Sequence, residues 1–169
     1  MNHTLNEIIK IKNQWFSQHV DVDFPTKESL LGRALFLSDA NNRTSYQLKV
    51  LPKTNSEYAE DGIFKVDFHR LTVMFSLLQS QRWGSSTDQA LVVEFLSQII
   101  FSPPCDLYVG FLQGEPAAAA VVTKYGNSLL VSDIVTTSSN HESFLSTLLN
   151  HSSLAIEKYS DIYIEPHRI

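Results

Sequence analysis

One cysteine, Cys105, in 169 residues excludes an internal disulfide framework and fits a reducing, cytoplasmic setting. No His stands near it in sequence, so it reads as a structural thiol. No apolar run approaches the roughly 20 residues needed to span a bilayer. The N-terminus carries Glu7 and lacks the continuous apolar stretch of a secretory signal, so no membrane association is expected. The six histidines never fall at the close spacings of a zinc site, and neither a phosphate-binding glycine loop nor a nucleophile elbow occurs. Cations are scarce too. Residues 1–60 balance seven basic against seven acidic side chains, whereas 61–169 hold six against eleven. A nucleic-acid backbone wants the reverse, so nucleic acid is not expected as a partner. A polyanionic cofactor needs only a few backbone N–H groups and is compatible with this balance.

What is present is patterned. Leu107–Leu112, Ala117–Thr123 and Leu129–Thr136 are apolar runs of strand length, separated by Gln113-Gly114-Glu115 and Tyr125-Gly126-Asn127. Gly and Asn accept positive φ at little cost, so both breaks read as tight turns and the runs as an antiparallel meander. Phe144, Leu145, Leu148, Leu149, Ala155, Ile156 and Tyr159 recur at helical spacing, predicting a helix over 141–158. Asp161–Glu165 then returns to the sheet, giving a strand, helix, strand crossover with parallel strands. Within that last strand Tyr163 and Glu165 share a face.

Upstream, Thr4 and Glu7 have capping-box spacing before a helix over 4–19 with the stripe Leu5, Ile8, Ile9, Trp15 and Phe16. Residues 28–37 fit a helix, although 33–38 also fit a strand. Residues 44–51 and 63–68 alternate as strands, with a polar loop at 52–62 between them. Asp67 is placed to cap a helix carrying Leu71, Met74, Phe75 and Leu78, and Ser86 with Gln89 to open one carrying Leu91, Val92, Phe95, Leu96, Ile99 and Ile100. Trp15, Phe16 and Trp83 read as core. The length suits one domain over 1–169, divided into an N-terminal helix with a hairpin over 1–60 and a core over 63–169.

The segments V-G-F-L-Q-G-E-P-A-A-A-A-V-V-T, L-L-V-S-D-I-V-T and D-I-Y-I-E-P, in this order of elements, resemble the GNAT (acyl-CoA N-acyltransferase) superfamily. The resemblance implies an α+β fold with a mostly antiparallel central sheet, flanking helices and one parallel crossover. It also implies an acyl-CoA, acetyl-CoA or a relative, lying where the cofactor strand parts from its neighbour, with the opening expected between Thr136 and Ile162. Backbone groups of Ile134, Val135 and Thr136 would meet the pantetheine arm. Ser138, Ser139 and Asn140 would lie by the diphosphate, and Asp133 would orient or deprotonate a small-molecule or peptide amine.

The sequence departs from that family at the helix start. Thr137 to Ser146 holds no glycine and no arginine, Ser139 and Glu142 have capping-box spacing, and Glu142 brings negative charge to the diphosphate position. The family's further helix and two strands after the position of Glu165 are also missing; the N-terminal segment, a partner subunit or an exposed groove would each account for their place. Two readings follow: an N-acyltransferase acting on an amine, and a catalytically inactive GNAT-like binding or assembly module. A homodimer is left open by either.

Overall fold

Gly114 and Gly126 take positive φ, 79° and 56°, so each predicted turn closes a hairpin with a glycine where one is suited, while Gln113 takes 52° without that freedom. The strands they join are β3 (Cys105–Leu112), β4 (Glu115–Tyr125) and β5 (Ser128–Thr136). The structure is a computed structural model describing residues 2–53, 57–138 and 141–166. Before the meander come α1 (His3–Ser17), α2 (Lys27–Ala40), β1 (Tyr46–Leu48), β2 (Ile63–Lys65), α3 (His69–Ser80) and α4 (Ser86–Leu96); after it come α5 (His141–Leu149) and β6 (Asp161–Glu165). The six strands form one sheet in the order β1-β6-β5-β4-β3-β2. Only β5 and β6 run parallel, through the α5 crossover. This is the α+β, mostly antiparallel arrangement with one parallel pair that the element order implied.

Each face of the sheet has its own core. Trp15, Phe16, Phe36, Phe75, Val92 and Phe95 from α1 to α4 pack with Leu107, Val109, Ala119 and Val121 on one face. On the other, Phe144, Leu148 and Leu149 of α5 pack with Ala118, Ala120, Val122, Leu129 and Val131. The run Ala117–Ala120 is therefore a strand buried on both sides, its small side chains alternating between helices that approach closely.

Several local expectations are corrected. Residues 33–38 lie within α2, so the N-terminal hairpin does not form. Thr26 caps that helix by accepting from the Ser29 N–H, and Gly32 sits against α4. Asn2 caps α1, and Thr4 lies inside that helix; Ser85 caps α4; and the cap position of α3 is Phe68, with no side-chain cap bond. The helix predicted over 141–158 stops at Leu149. His151 Nδ1 accepts from the Ser153 N–H at 3.2 Å and lies 2.7 Å from the Ser153 hydroxyl, an alternative to helical bonding that short polar side chains commonly take. Two 3-10 turns follow, Ser152–Leu154 and Ile156–Lys158, joined at Ala155 with φ 47°.

The N-terminal strand β1 pairs antiparallel along the outer side of β6, Tyr46 opposite Ile164. Ile8 of α1 packs on Leu130 and Tyr163, and Asn2 donates to the Tyr163 hydroxyl at 2.7 Å. Because β1 and β2 are opposite edges of the sheet, the chain between them crosses its full width. It does so against α5. Ser146 donates to the Pro52 carbonyl at 3.0 Å, the Glu57 N–H to Ser143 Oγ at 2.8 Å, and Thr147 to the Tyr58 carbonyl at 3.2 Å, while the Tyr58 ring lies 5.3 Å from that of Phe144.

Candidate functional site

The ladder between β4 and β5 slips once. Ser132 faces Val121 and Val135 faces Ala119, so Asp133 and Ile134 together face Ala120. Asp133 absorbs the extra residue at φ 54°, a conformation Asp tolerates better than most L-residues. The β5–β6 ladder ends at the same place, with Ser132 opposite Glu165. The described ladder thus ends at Ser132 and Glu165, and no opening lies between Thr136 and Ile162, because Ile162 is paired with Leu129. Past the bulge, Val135 and Thr136 pair with Ala119 and Ala118 of β4, and no residue of β5 beyond Ser132 pairs with β6 among the described residues.

Charged side chains gather at this end of the ladder. Asp133 Oδ1 accepts from Arg43 Nη1 at 2.8 Å and from Arg82 Nη1 at 2.9 Å, and Oδ2 accepts from the Ser132 hydroxyl at 2.7 Å. Its main-chain carbonyl accepts from Gln79 Nε2 at 2.6 Å. The same Arg43 Nη1 reaches Glu165 Oε1 at 3.3 Å, Lys12 Nζ makes a short contact with that oxygen, and the Ser45 hydroxyl donates to Oε2 at 3.2 Å. Asp39 Oδ2 closes the outer side, accepting from Arg43 Nη2 at 2.8 Å and from Arg82. Arg82 also lies over the rings of Phe36 and Trp83, at 5.2 and 4.8 Å.

Exposure decides what this cluster can do. Lys12, Arg43, Arg82, Asp133 and Glu165 are each 2% exposed or less, and only Asp39, at 30%, reaches water. Three cations face three anions, so the cluster is neutral as a unit. Burial alone would push the Asp133 carboxyl up; Arg43, Lys12 and Arg82 outweigh it and hold it well below the usual carboxylate range. Such a carboxylate is charged, bonded at both oxygens and closed to water, which makes it a weak proton acceptor.

The other residues implied by the resemblance are spread along the same strand end. Ile134 and Val135 are buried and Thr136 is half-buried, its hydroxyl turned to the Ser138 carbonyl. Ser138 lies beside Tyr58, whose phenol is pushed up by burial and partly brought back by Ser138. Ser139 and Asn140 lie outside the described residues. Glu142 is in the first turn of α5. Sequence reasoning missed Lys12, Asp39, Arg43 and Arg82. Lys12 stands on the apolar stripe of α1 between Ile8 and Trp15, a position where a buried lysine needs a partner, and Asp39 and Arg43 are four residues apart. Among the described residues no group of His, Cys, Asp and Glu is arranged to hold a metal ion, and no helix is long and apolar enough to cross a membrane.

No protein-family description matches the sequence, and no curated protein does. Among solved structures, a GCN5-related N-acetyltransferase from Kribbella flavida superposes with a TM-score of 0.48 and 11% identity, over 80% of this chain and 54% of that one. This chain thus spans about half the length of that protein, and at such identity no residue role passes from one to the other.

Proposed function

We propose that this chain is a GNAT-like domain that works as a binding or assembly module rather than as an acyltransferase. The observation that carries this reading is Arg43, whose Nη1 bridges Asp133 on β5 and Glu165 on β6 at the end of their described ladder. An acyl-CoA arm bonded to Ile134, Val135 and Thr136 would run directly beside an ion cluster whose members, Asp39 apart, are buried. Displacing one member strands its partners without water, at a cost of about 3–5 kcal/mol. The residues present fit the cofactor poorly in two further respects. The crossover at Pro52 and Tyr58 is already bonded to the first turns of α5, and Glu142 adds negative charge where a diphosphate would lie. Asp133 in its ion cluster is a positioning group, not a base.

One observation favours the second reading, an N-acyltransferase acting on an amine: the bulge at Asp133 leaves the β6 side of Ile134–Thr136 without a strand partner among the described residues. A thermal-shift titration with acetyl-CoA and with CoA separates the two. A ligand at 100 times its dissociation constant stabilises the native state by about 2.7 kcal/mol. No shift at millimolar cofactor is expected; a saturable shift overturns the module reading and returns acyl transfer to first place.

A further inference from the structure

The edge strand β2 has unsatisfied backbone on its outer side. Val66 N–H bonds to the Leu107 carbonyl at 2.8 Å, and Phe64 stands in the same phase of the ladder, so by the alternation of an antiparallel pair Lys65 turns its N–H and C=O away from β3. The Ile63 C=O points the same way, while the Ile63 N–H is used by the Glu60 carbonyl. Three adjacent main-chain groups therefore stand ready for a further strand.

The two faces flanking this edge differ in chemistry. On the α3 side lies a groove of about 680 Å³ built from Phe64, Phe68, Met74, Phe111 and Pro116. Phe64 and Phe68 are 45% and 52% exposed, large for phenylalanine. Arg70 and Glu115 also line the groove and offset each other in charge. On the α5 side lies a hollow of about 610 Å³ lined by Glu60, Asp61, His151 and Ser152, with Ile63 and Phe64 of β2 along its edge. Neither Glu60 nor Asp61 has an ion-pair partner among the described residues; Glu60 accepts one N–H, from Ser152 at 3.2 Å. Lys65, the cation nearest this edge, is taken by Asp106 at 3.3 Å.

Successive side chains of a strand point to opposite faces. A strand added to β2 thus sends one set of side chains into the phenylalanine groove and the other over two unpaired carboxylates. We propose that the β2 edge binds an extended peptide segment in which apolar and basic residues alternate, the main chain completing the ladder at Lys65 and Ile63. The proposal gives the binding-module reading its partner class and rests on that reading.

The test uses the full chain and a fluorescent, end-capped peptide of alternating valine and lysine, with a valine and glutamate peptide as control. Lys65→Pro removes the outward N–H without touching the bonds to β3, since proline is tolerated on an edge strand whose N–H faces solvent. Lys65→Ala keeps the N–H. Expected are saturable binding of the lysine peptide, retention by Lys65→Ala, and a loss of about tenfold or more, 1.4 kcal/mol, in Lys65→Pro and in the double variant Glu60→Lys, Asp61→Lys. Equal affinity of Lys65→Pro and Lys65→Ala overturns the proposal, as does equal binding of the glutamate peptide. A sedimenting dimer that Lys65→Pro dissociates also overturns it, by giving the edge to a second copy of the chain. These outcomes are read separately from the acetyl-CoA titration: failed peptide binding with no cofactor shift removes the edge-strand site and leaves the module reading standing.

Discussion

Arg43 and Asp133, ninety positions apart in sequence, meet at 2.8 Å in the interior, and neither reaches solvent. Asp133→Asn keeps the shape of the side chain and its tolerance of positive φ but leaves three buried cations against two anions. An expected loss of about 3–5 kcal/mol in urea unfolding follows from uncovering a buried charge. Combining it with Arg43→Met restores the balance, so the double variant should be destabilised by less than the sum of the singles.

The same pair sets the acid limit. Because the Asp133 carboxyl is held well below its ordinary 3.8, its contribution is fully present above that value and is lost as pH falls from there towards the folded value. Melting temperature against pH should therefore drop steeply below about 4 for the native sequence and less steeply for Asp133→Asn.

His19 titrates in a higher window. Burial pushes its pKa down from 6.5 to about 4, with Trp15 edge-on at 4.4 Å and the Ile100 N–H donating to Nδ1 at 3.4 Å. The unfolded chain takes up this proton first, so stability should decline as pH falls from about 6.5 and level off below about 4. Two-dimensional NMR of the ring gives its midpoint directly. A value near 6.5 contradicts the burial described here, and His19→Gln should flatten this part of the curve.

Gly32 measures how closely α2 and α4 approach. A Cβ added there would sit 1.9 Å from the Leu91 carbonyl oxygen, a main-chain atom that has no rotamer to escape into. Gly32→Ala should cost about 3 kcal/mol or more despite its better helix propensity, whereas Gly84→Ala, with open space around it, should change stability little.

Cys105 should resist thiol reagents until the chain unfolds. Burial pushes its pKa up to about 12, and its sulfur lies 3.3 Å from the Thr123 hydroxyl. Labelling by Ellman's reagent that follows the urea transition is expected; rapid labelling of the folded protein counts against the packing of β3 on β4.

The meander was legible because its punctuation is chemical: Gly114 and Gly126 stand where the backbone needs positive φ, and the apolar runs between them have strand length. The helix over 141–158 was over-read for the opposite reason. Leu154, Ile156 and Tyr159 keep the apolar spacing and do pack with the α5 core, but His151 and Ser153 bond to one another and break the turn. The ambiguity over 28–37 yielded only to packing, since Gly32 is poor in an isolated helix and suited to one pressed against another. Asp133 was marked by resemblance. Its charged partners lie on α1 and just after α2 and α3, and no local spacing announces contacts that span 51 positions to Arg82 and 90 to Arg43.

The placement of β6 has a consequence for assembly. This strand, near the end of the chain, lies inside the sheet between β5 and β1, so Tyr46 has no partner until Ile164 has been synthesised. The hairpins of β3, β4 and β5 pair neighbouring sequence, whereas β1 has to wait for a strand more than 110 residues away. Long-range closure of this kind is slow compared with hairpin formation. Until β6 is made, Ile8 of α1 lacks Tyr163, one of the two buried side chains it packs against.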